Sequence, residues 1–108
     1  MPYRCLILLL LFATSSTVVA DVPVVHLTIQ NNRFQPAKLH VPAGRKVKLL
    51  VQNRDASPEE FESYDLNREK IITGNSSGII YVGPLQPGEY SFFGDFHRDT
   101  ARGSLVAD

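Results

Sequence analysis

The middle of this 108-residue chain carries an acidic segment whose spacing suits cation binding. Glu60 and Glu62 are two residues apart. On an extended segment both side chains project to one face, while Phe61 between them points into the core. Two carboxylates therefore converge on the same side of a strand.

A second segment with metal-ligating residues lies near the end of the chain. Asp95 and His97 are also two residues apart, and Gly94 before them allows a close approach of the backbone. Glu69, in the connecting segment, is placed to complete the set. The predicted metal ligands are Glu60, Glu62, Glu69, Asp95 and His97.

This ligand set favours particular metals. Carboxylate oxygens with one imidazole suit iron, manganese, zinc or cupric copper, and they bind cuprous copper poorly because that ion prefers sulfur. A structural interpretation stands beside this one. An acidic stretch containing Arg68 and Lys70 is also typical of a solvated surface with ion pairs, and His97 could be a loop histidine bonded to backbone.

The first twenty residues predict a secretory signal peptide. Arg4 precedes an apolar run from Cys5 to Ala13, and small residues follow, so cleavage is expected between Ala20 and Asp21. An uncleaved N-terminal anchor is the alternative. The one cysteine of the sequence would leave with the signal peptide, so the mature domain, residues 21–108, would have neither a disulfide nor a thiolate ligand.

The charge and motifs exclude several function classes. Lys plus Arg equals Asp plus Glu at 11 each, so a nucleic-acid partner has no electrostatic support. The sequence has no nucleophile elbow joining a strand to a helix, no phosphate-binding loop and no His-Glu-x-x-His pair. Hydrolysis is therefore not expected.

Short alternating segments separated by Pro and Gly turns predict an all-β domain. The segment 54–70 has the weakest pattern, apart from the acidic strand itself. We expect a β-sandwich of about seven or eight strands, with extended runs at Val24–Gln30, Phe34–Val41, Arg45–Asn53, Ile79–Val82, Glu89–Phe93 and Gly103–Ala107.

Several motifs occur in a familiar order along residues 21–108. They are Phe34-x-Pro36, Val41-Pro42-Ala43-Gly44, Asn53-x-Asp55 and Leu85-x-Pro87-Gly88-x-Tyr90-x-Phe92, followed by the loop with His97. Together they resemble the cupredoxins. The resemblance implies a Greek-key β-sandwich of the cupredoxin type.

The resemblance also implies where a type 1 copper site would lie, and most of its ligands are replaced. The first histidine should fall at Glu59 or Glu60, the cysteine near Gly94 and the axial methionine near Ala101 or Arg102. The second histidine falls on His97. Because a type 1 centre needs a thiolate, no blue-copper centre is expected.

The acidic segment resembles a narrower group. Pro58-Glu59-Glu60-Phe61-Glu62, with Arg68-Glu69-Lys70, is similar to the small periplasmic cupredoxin-like domains that accompany high-affinity iron permeases, including the EfeO-type N-terminal domain. This implies a periplasmic protein of a ferrous or ferric iron uptake system. It would bind iron, or copper for ferrous oxidation, and deliver iron to a membrane permease or other uptake subunits.

Two other functions stay open. The first is a metal-free interaction module that docks a membrane or periplasmic partner through its acidic rim. The second is a copper-tolerance chaperone, which the absence of Cys and Met from residues 21–108 disfavours. A homo-oligomer is also possible, in which His26 or His40 would join a metal site between subunits.

Overall fold

The computed structural model describes residues 3, 6–14 and 21–108. Arg4, Cys5 and Ala20, on which the signal-peptide prediction depends, lie outside the described residues. Residues 6–14 have neither helix nor strand. Within the described part of the chain, no helix has the length and apolar character needed to cross a membrane.

The part of the chain described by the structure is built from strands, without helices. In chain order these are β1 (Val24–Gln30), β2 (Arg33–Gln35), β3 (Lys38–Val41), β4 (Val47–Asn53), β5 (Glu59–Ser63), β6 (Arg68–Ile72), β7 (Ser76–Val82), β8 (Gly88–Gly94) and β9 (Arg102–Ala107).

The strands form two sheets. One has the order β2-β1-β4-β7 and the other β3-β9-β8-β5-β6. Pairing is antiparallel except between β1 and β4 and between β3 and β9. The chain crosses repeatedly from one sheet to the other, and the two sheets enclose one core. The predicted all-β sandwich is confirmed.

The strand count is nine among the described residues, compared with the seven or eight expected. The run 34–41 is interrupted at Pro36 and Ala37, and its halves join different sheets. Strand β6 was not predicted from the sequence. Four of its five residues are exposed, so it lacks the alternation of a half-buried strand. Strand β7 begins at Ser76, three residues before the expected run Ile79–Val82.

Three phenylalanines tie the sheets together around β5. Phe34, Phe61 and Phe92 lie on β2, β5 and β8, with ring centroids 5.0 to 6.1 Å apart. Each is buried, and burying one such ring stabilises the fold by roughly 1.5–3 kcal/mol. Strand β5 is thereby fixed in depth and orientation.

The alternation of β5 decides which face of the sheet each of its side chains occupies. Phe61 is fully buried, as predicted. Glu59 and Ser63, two residues to either side, share its inward face and are 1% exposed. Glu60 and Glu62 therefore project from the outer face of the five-stranded sheet.

Candidate metal centre

Three carboxylates meet on the outer face of the five-stranded sheet. One oxygen from each of Glu60, Glu62 and Asp95 lies within 4.8 Å of the others. Asp95 follows β8, and its N–H donates to the carbonyl oxygen of Glu60 at 2.8 Å. This backbone bond places the Asp95 side chain beside β5. We call Glu60, Glu62 and Asp95 the carboxylate cluster.

Glu69 lies next to this cluster. It is directly opposite Glu62 in the β5–β6 register, and it is close enough to Glu60 to raise the pKa of that carboxyl group. Four of the five predicted ligands are therefore brought together. Glu69 is more exposed than the others, which places it at the rim of the group.

The cluster carries more negative charge than its surroundings neutralise. The pKa of Glu60 is raised to about 7, first by burial and then by the charge and hydrogen bond of Glu69, the charge of Asp95 and the hydrogen bond of Glu62. Crowded carboxylates hold a proton more tightly because like charges disfavour ionisation. A cation bound at this place would remove the same repulsion.

Arg98 balances part of this charge. Its Nε donates to Oδ1 of Asp95 at 2.6 Å, and its guanidinium lies over the Phe93 ring, 5.1 Å from the centroid. The side chain is more than half exposed, so the pair is accessible to water and weakened by screening. The hydrogen bond to Asp95 raises the pKa of Arg98.

His97, the fifth predicted ligand, points elsewhere. Its Nδ1 lies 2.5 Å from Oε2 of Glu59. The other carboxylate oxygen of Glu59 accepts the N–H groups of Glu60 at 3.0 Å and Phe96 at 2.9 Å. Since an ionised carboxylate only accepts hydrogen bonds, we assign the hydrogen to Nδ1. The remaining ring nitrogen, Nε2, is then the one left for other contacts.

Glu59 is the structural residue that the ligand predictions passed over. The signal was present, because a strand that points Phe61 into the core points Glu59 inward as well. A buried carboxylate needs hydrogen-bond donors or a counter-ion. His97 supplies one donor across 38 residues of sequence.

The residues at the copper-ligand positions of the fold do not fit a type 1 centre. Glu59, Gly94, His97 and Ala101 do converge. However, a Cβ atom on Gly94 would lie 2.5 Å from Cδ of Glu59 and 2.7 Å from Cβ of Ala101, so a cysteine has no room there. The donor set present contains a carboxylate and an imidazole, without the thiolate that defines a blue-copper site.

Sandwich topology and the site at the end of β8 together define a cupredoxin-like domain. A sequence model of the cupredoxin-like domain family matches residues 3–107, and the chain belongs to that family. A relative from Rickettsia prowazekii (strain Madrid E), described as an uncharacterized protein, is 45% identical over 84 residues. The match covers 78% of this chain and 67% of the relative.

Solved structures with the same fold include copper proteins. Auracyanin A, a blue copper protein from Chloroflexus aurantiacus, has a TM-score of 0.68 at 14% identity, covering 82% of this chain and all of the other. Amicyanin from Paracoccus versutus has a TM-score of 0.60 at 17% identity, covering 85% and 86%.

A chain of a heme-copper terminal oxidase dimer has a TM-score of 0.67 at 13% identity. The match covers 79% of this chain, which spans 63% of that oxidase chain. At such identities these likenesses show the fold alone.

Proposed function

We propose that this protein is an exported, periplasmic iron-binding protein that delivers iron to a membrane permease or another subunit of an iron uptake system. Iron is its cargo, held at the carboxylate cluster. The observation that carries the proposal is the convergence of Glu60, Glu62 and Asp95, whose oxygens lie within 4.8 Å of one another.

The chemistry of the cluster favours a hard or borderline cation. Carboxylate oxygens bind iron well, and they also accept manganese, zinc and cupric copper. Without a cation, the cluster binds a proton near neutral pH, since the pKa of Glu60 is about 7. A cation would displace that proton and offset the repulsion between the acids.

The partial exposure of the cluster suits transfer of iron to a partner. Glu62 and Asp95 are half-buried at the sheet surface, so an ion reaches their oxygens without any strand moving. A site on an outer face is also open to ligands from a second protein. Loading and delivery both use this same opening.

Copper held by the cluster to oxidise ferrous iron is the weaker form of the proposal. One-electron chemistry needs a redox metal whose potential is tuned by its ligands, and carboxylates tune it less than thiolate and imidazole do. Binding and delivery require less of the site. The export and periplasmic location are proposed from the sequence of residues 1–20, and a homo-oligomer stays a prediction.

Metal titration of substituted proteins tests the proposal. We would titrate the purified protein with ferrous iron under anaerobic conditions, and with ferric iron and cupric copper separately. Glu60→Gln and Asp95→Asn should each weaken iron binding by at least about tenfold, because each removes a charged oxygen ligand. Glu89→Gln is the matched control, since Glu89 is exposed and pairs with Lys38 on β3. Unchanged affinity in both cluster variants would exclude the site.

The docking module stays a second candidate because exposed apolar groups flank the cluster. Tyr64 is 71% exposed and packs edge-on against Phe93, and Ile71, opposite Glu60, is 54% exposed. In cells that depend on the protein for iron, Glu60→Gln combined with Glu62→Gln should abolish metal binding and uptake together. Loss of uptake with metal binding intact would favour docking instead.

A further inference from the structure

Glu59 is a buried carboxylate that the proposed iron site does not use. Its side chain is 2% exposed. The carboxylate accepts three hydrogen bonds, from the N–H groups of Glu60 and Phe96 and from Nδ1 of His97. A buried charge costs free energy unless it is paired or fully hydrogen-bonded. The surroundings of Glu59 are therefore built for an acceptor.

The carboxylate lies where the ligand positions of the fold converge. Gly94 and Ala101 form the wall next to it, and a side chain at position 94 would overlap Cδ of Glu59. The side chain of Glu59 therefore fills the place where a metal ion would lie in this fold. It contacts the loop of residues 95–101, which joins β8 to β9.

Two of the three bonds to Glu59 come from this 95–101 loop. Phe96 and His97 are the donors, and they are the two residues that follow Asp95 in the chain. The loop is also closed on itself, because the N–H of His97 donates to Gly94 at 3.1 Å and that of Ala101 donates to His97 at 2.8 Å. Asp95 is therefore held between a strand end and a turn that is fastened to Glu59.

We propose that Glu59 is an internal substitute for a metal ion and acts as a positioning residue. Its carboxylate binds Phe96 and His97 of the 95–101 loop from inside the sandwich, at the place where a metal ion would bind its ligands in this fold. These bonds fix the loop, and the loop in turn holds Asp95 in the carboxylate cluster on the opposite face of the sheet. The effect on iron binding rests on the proposed function. The effect on the loop does not.

A pair of substitutions at His97 separates positioning from direct ligation. Asn at position 97 places an amide N–H near the position of Nδ1 but has no atom at Nε2. Ala has neither. With full-length protein and anaerobic ferrous iron, His97→Ala should weaken binding at least about tenfold, while His97→Asn should stay within about threefold of the parent. Equal loss in both variants would make His97 a direct ligand through Nε2 and overturn the proposal, as would no loss in either.

A double-substitution cycle guards against a general loss of structure. Each variant is first checked for a folded circular dichroism spectrum at the titration temperature. If Glu59 acts through Asp95, then Asp95→Asn should add little to His97→Ala, because both remove the same ligand. Full additivity of the two losses would contradict the positioning role.

Amide hydrogen exchange tests the loop without any metal. In Glu59→Leu, the N–H groups of Asp95 and Phe96 should exchange at least about tenfold faster than in the parent. In Leu49→Ala, which loses a similar amount of stability through a buried residue of β4, the same two N–H groups should keep their rates, because they exchange through local opening of the loop. Unchanged exchange at both amides would overturn the inference even if the parent binds iron. A parent that binds no iron but shows the faster exchange in the variant would refute only the proposed function.

Discussion

Glu59 and Glu60 are neighbours in the chain, and the structure gives them opposite surroundings. Glu59 faces inward and receives N–H groups from Glu60, Phe96 and His97. The side chain of Glu60 faces outward among other acids, and its pKa is raised to about 7. The difference teaches that a carboxylate stabilises the fold where N–H donors surround it, and that a carboxylate surrounded by other acids is a candidate cation ligand.

The largest effect should follow loss of the inner carboxylate. Glu59→Leu fills similar space but leaves two backbone N–H groups and an imidazole without their acceptor, which should cost about 3 kcal/mol or more. The melting temperature should fall by roughly 12 °C or more, as measured by thermal unfolding. Glu62→Leu, on the outer face of the same strand, is the control and should change stability by less than about 0.5 kcal/mol. Similar losses in the two would remove the distinction between the faces.

A methyl group on the wall of the inner site should have the next largest effect. Gly94→Ala introduces a Cβ 2.5 Å from Cδ of Glu59, and overpacking of this kind costs about 1–3 kcal/mol. Urea denaturation measures the change. Gly88→Ala, on the same strand, is the control because its nearest neighbours would be 3.9 Å away. If both alanines are tolerated equally, the inner site is looser than described.

The free energy of unfolding should depend on pH through the carboxylate cluster. An acid whose pKa is lowered by folding stabilises the protein at higher pH, whereas Glu60, whose pKa is raised, should do the opposite. Glu60 binds its proton more tightly in the folded state than its ordinary pKa of 4.5 implies. Metal-free stability should therefore fall as the pH rises from about 4.5 through 7, since the folded state must give up a proton that it favours. Glu60→Gln should remove this part of the slope and be the more stable protein at pH 8. Denaturant midpoints of the parent and of Glu60→Gln, measured at pH 4.5 and pH 8, test this prediction. The same change of midpoint with pH in both proteins would contradict it.

The smallest effect should come from Arg98, which occupies one oxygen of the outer cluster. Arg98→Gln frees Oδ1 of Asp95 and removes a positive charge, so cation affinity should rise about threefold, in keeping with the modest energy of an exposed pair. Titration with ferrous iron measures this. Arg54→Gln removes an exposed charge elsewhere and should have less effect. Weaker binding in Arg98→Gln would mean that Arg98 supports the cluster instead of competing with the ion.

The sequence pattern predicted which faces the side chains of β5 occupy, because a period of two assigns Glu60 and Glu62 to the side opposite Phe61. The sequence analysis also grouped Glu69 and Asp95 with these two residues, and in the structure both lie beside them. It did not predict the Glu59 contact, since periodicity reports a face but not the partner across the fold. His97 is 38 residues away and meets Glu59 only when β5 and β8 pair. Strand β6 was missed because its mostly exposed side chains leave no alternation.

The bonds of the 95–101 loop to Glu59 bear on what happens after an ion leaves. A carrier spends part of each cycle empty, and a domain that needed its metal in order to fold would then be open to proteolysis. Here the loop is fastened by the chain's own carboxylate. If the protein carries iron as proposed, delivery would leave an intact apoprotein, ready to be loaded again, whose lifetime does not depend on the supply of metal.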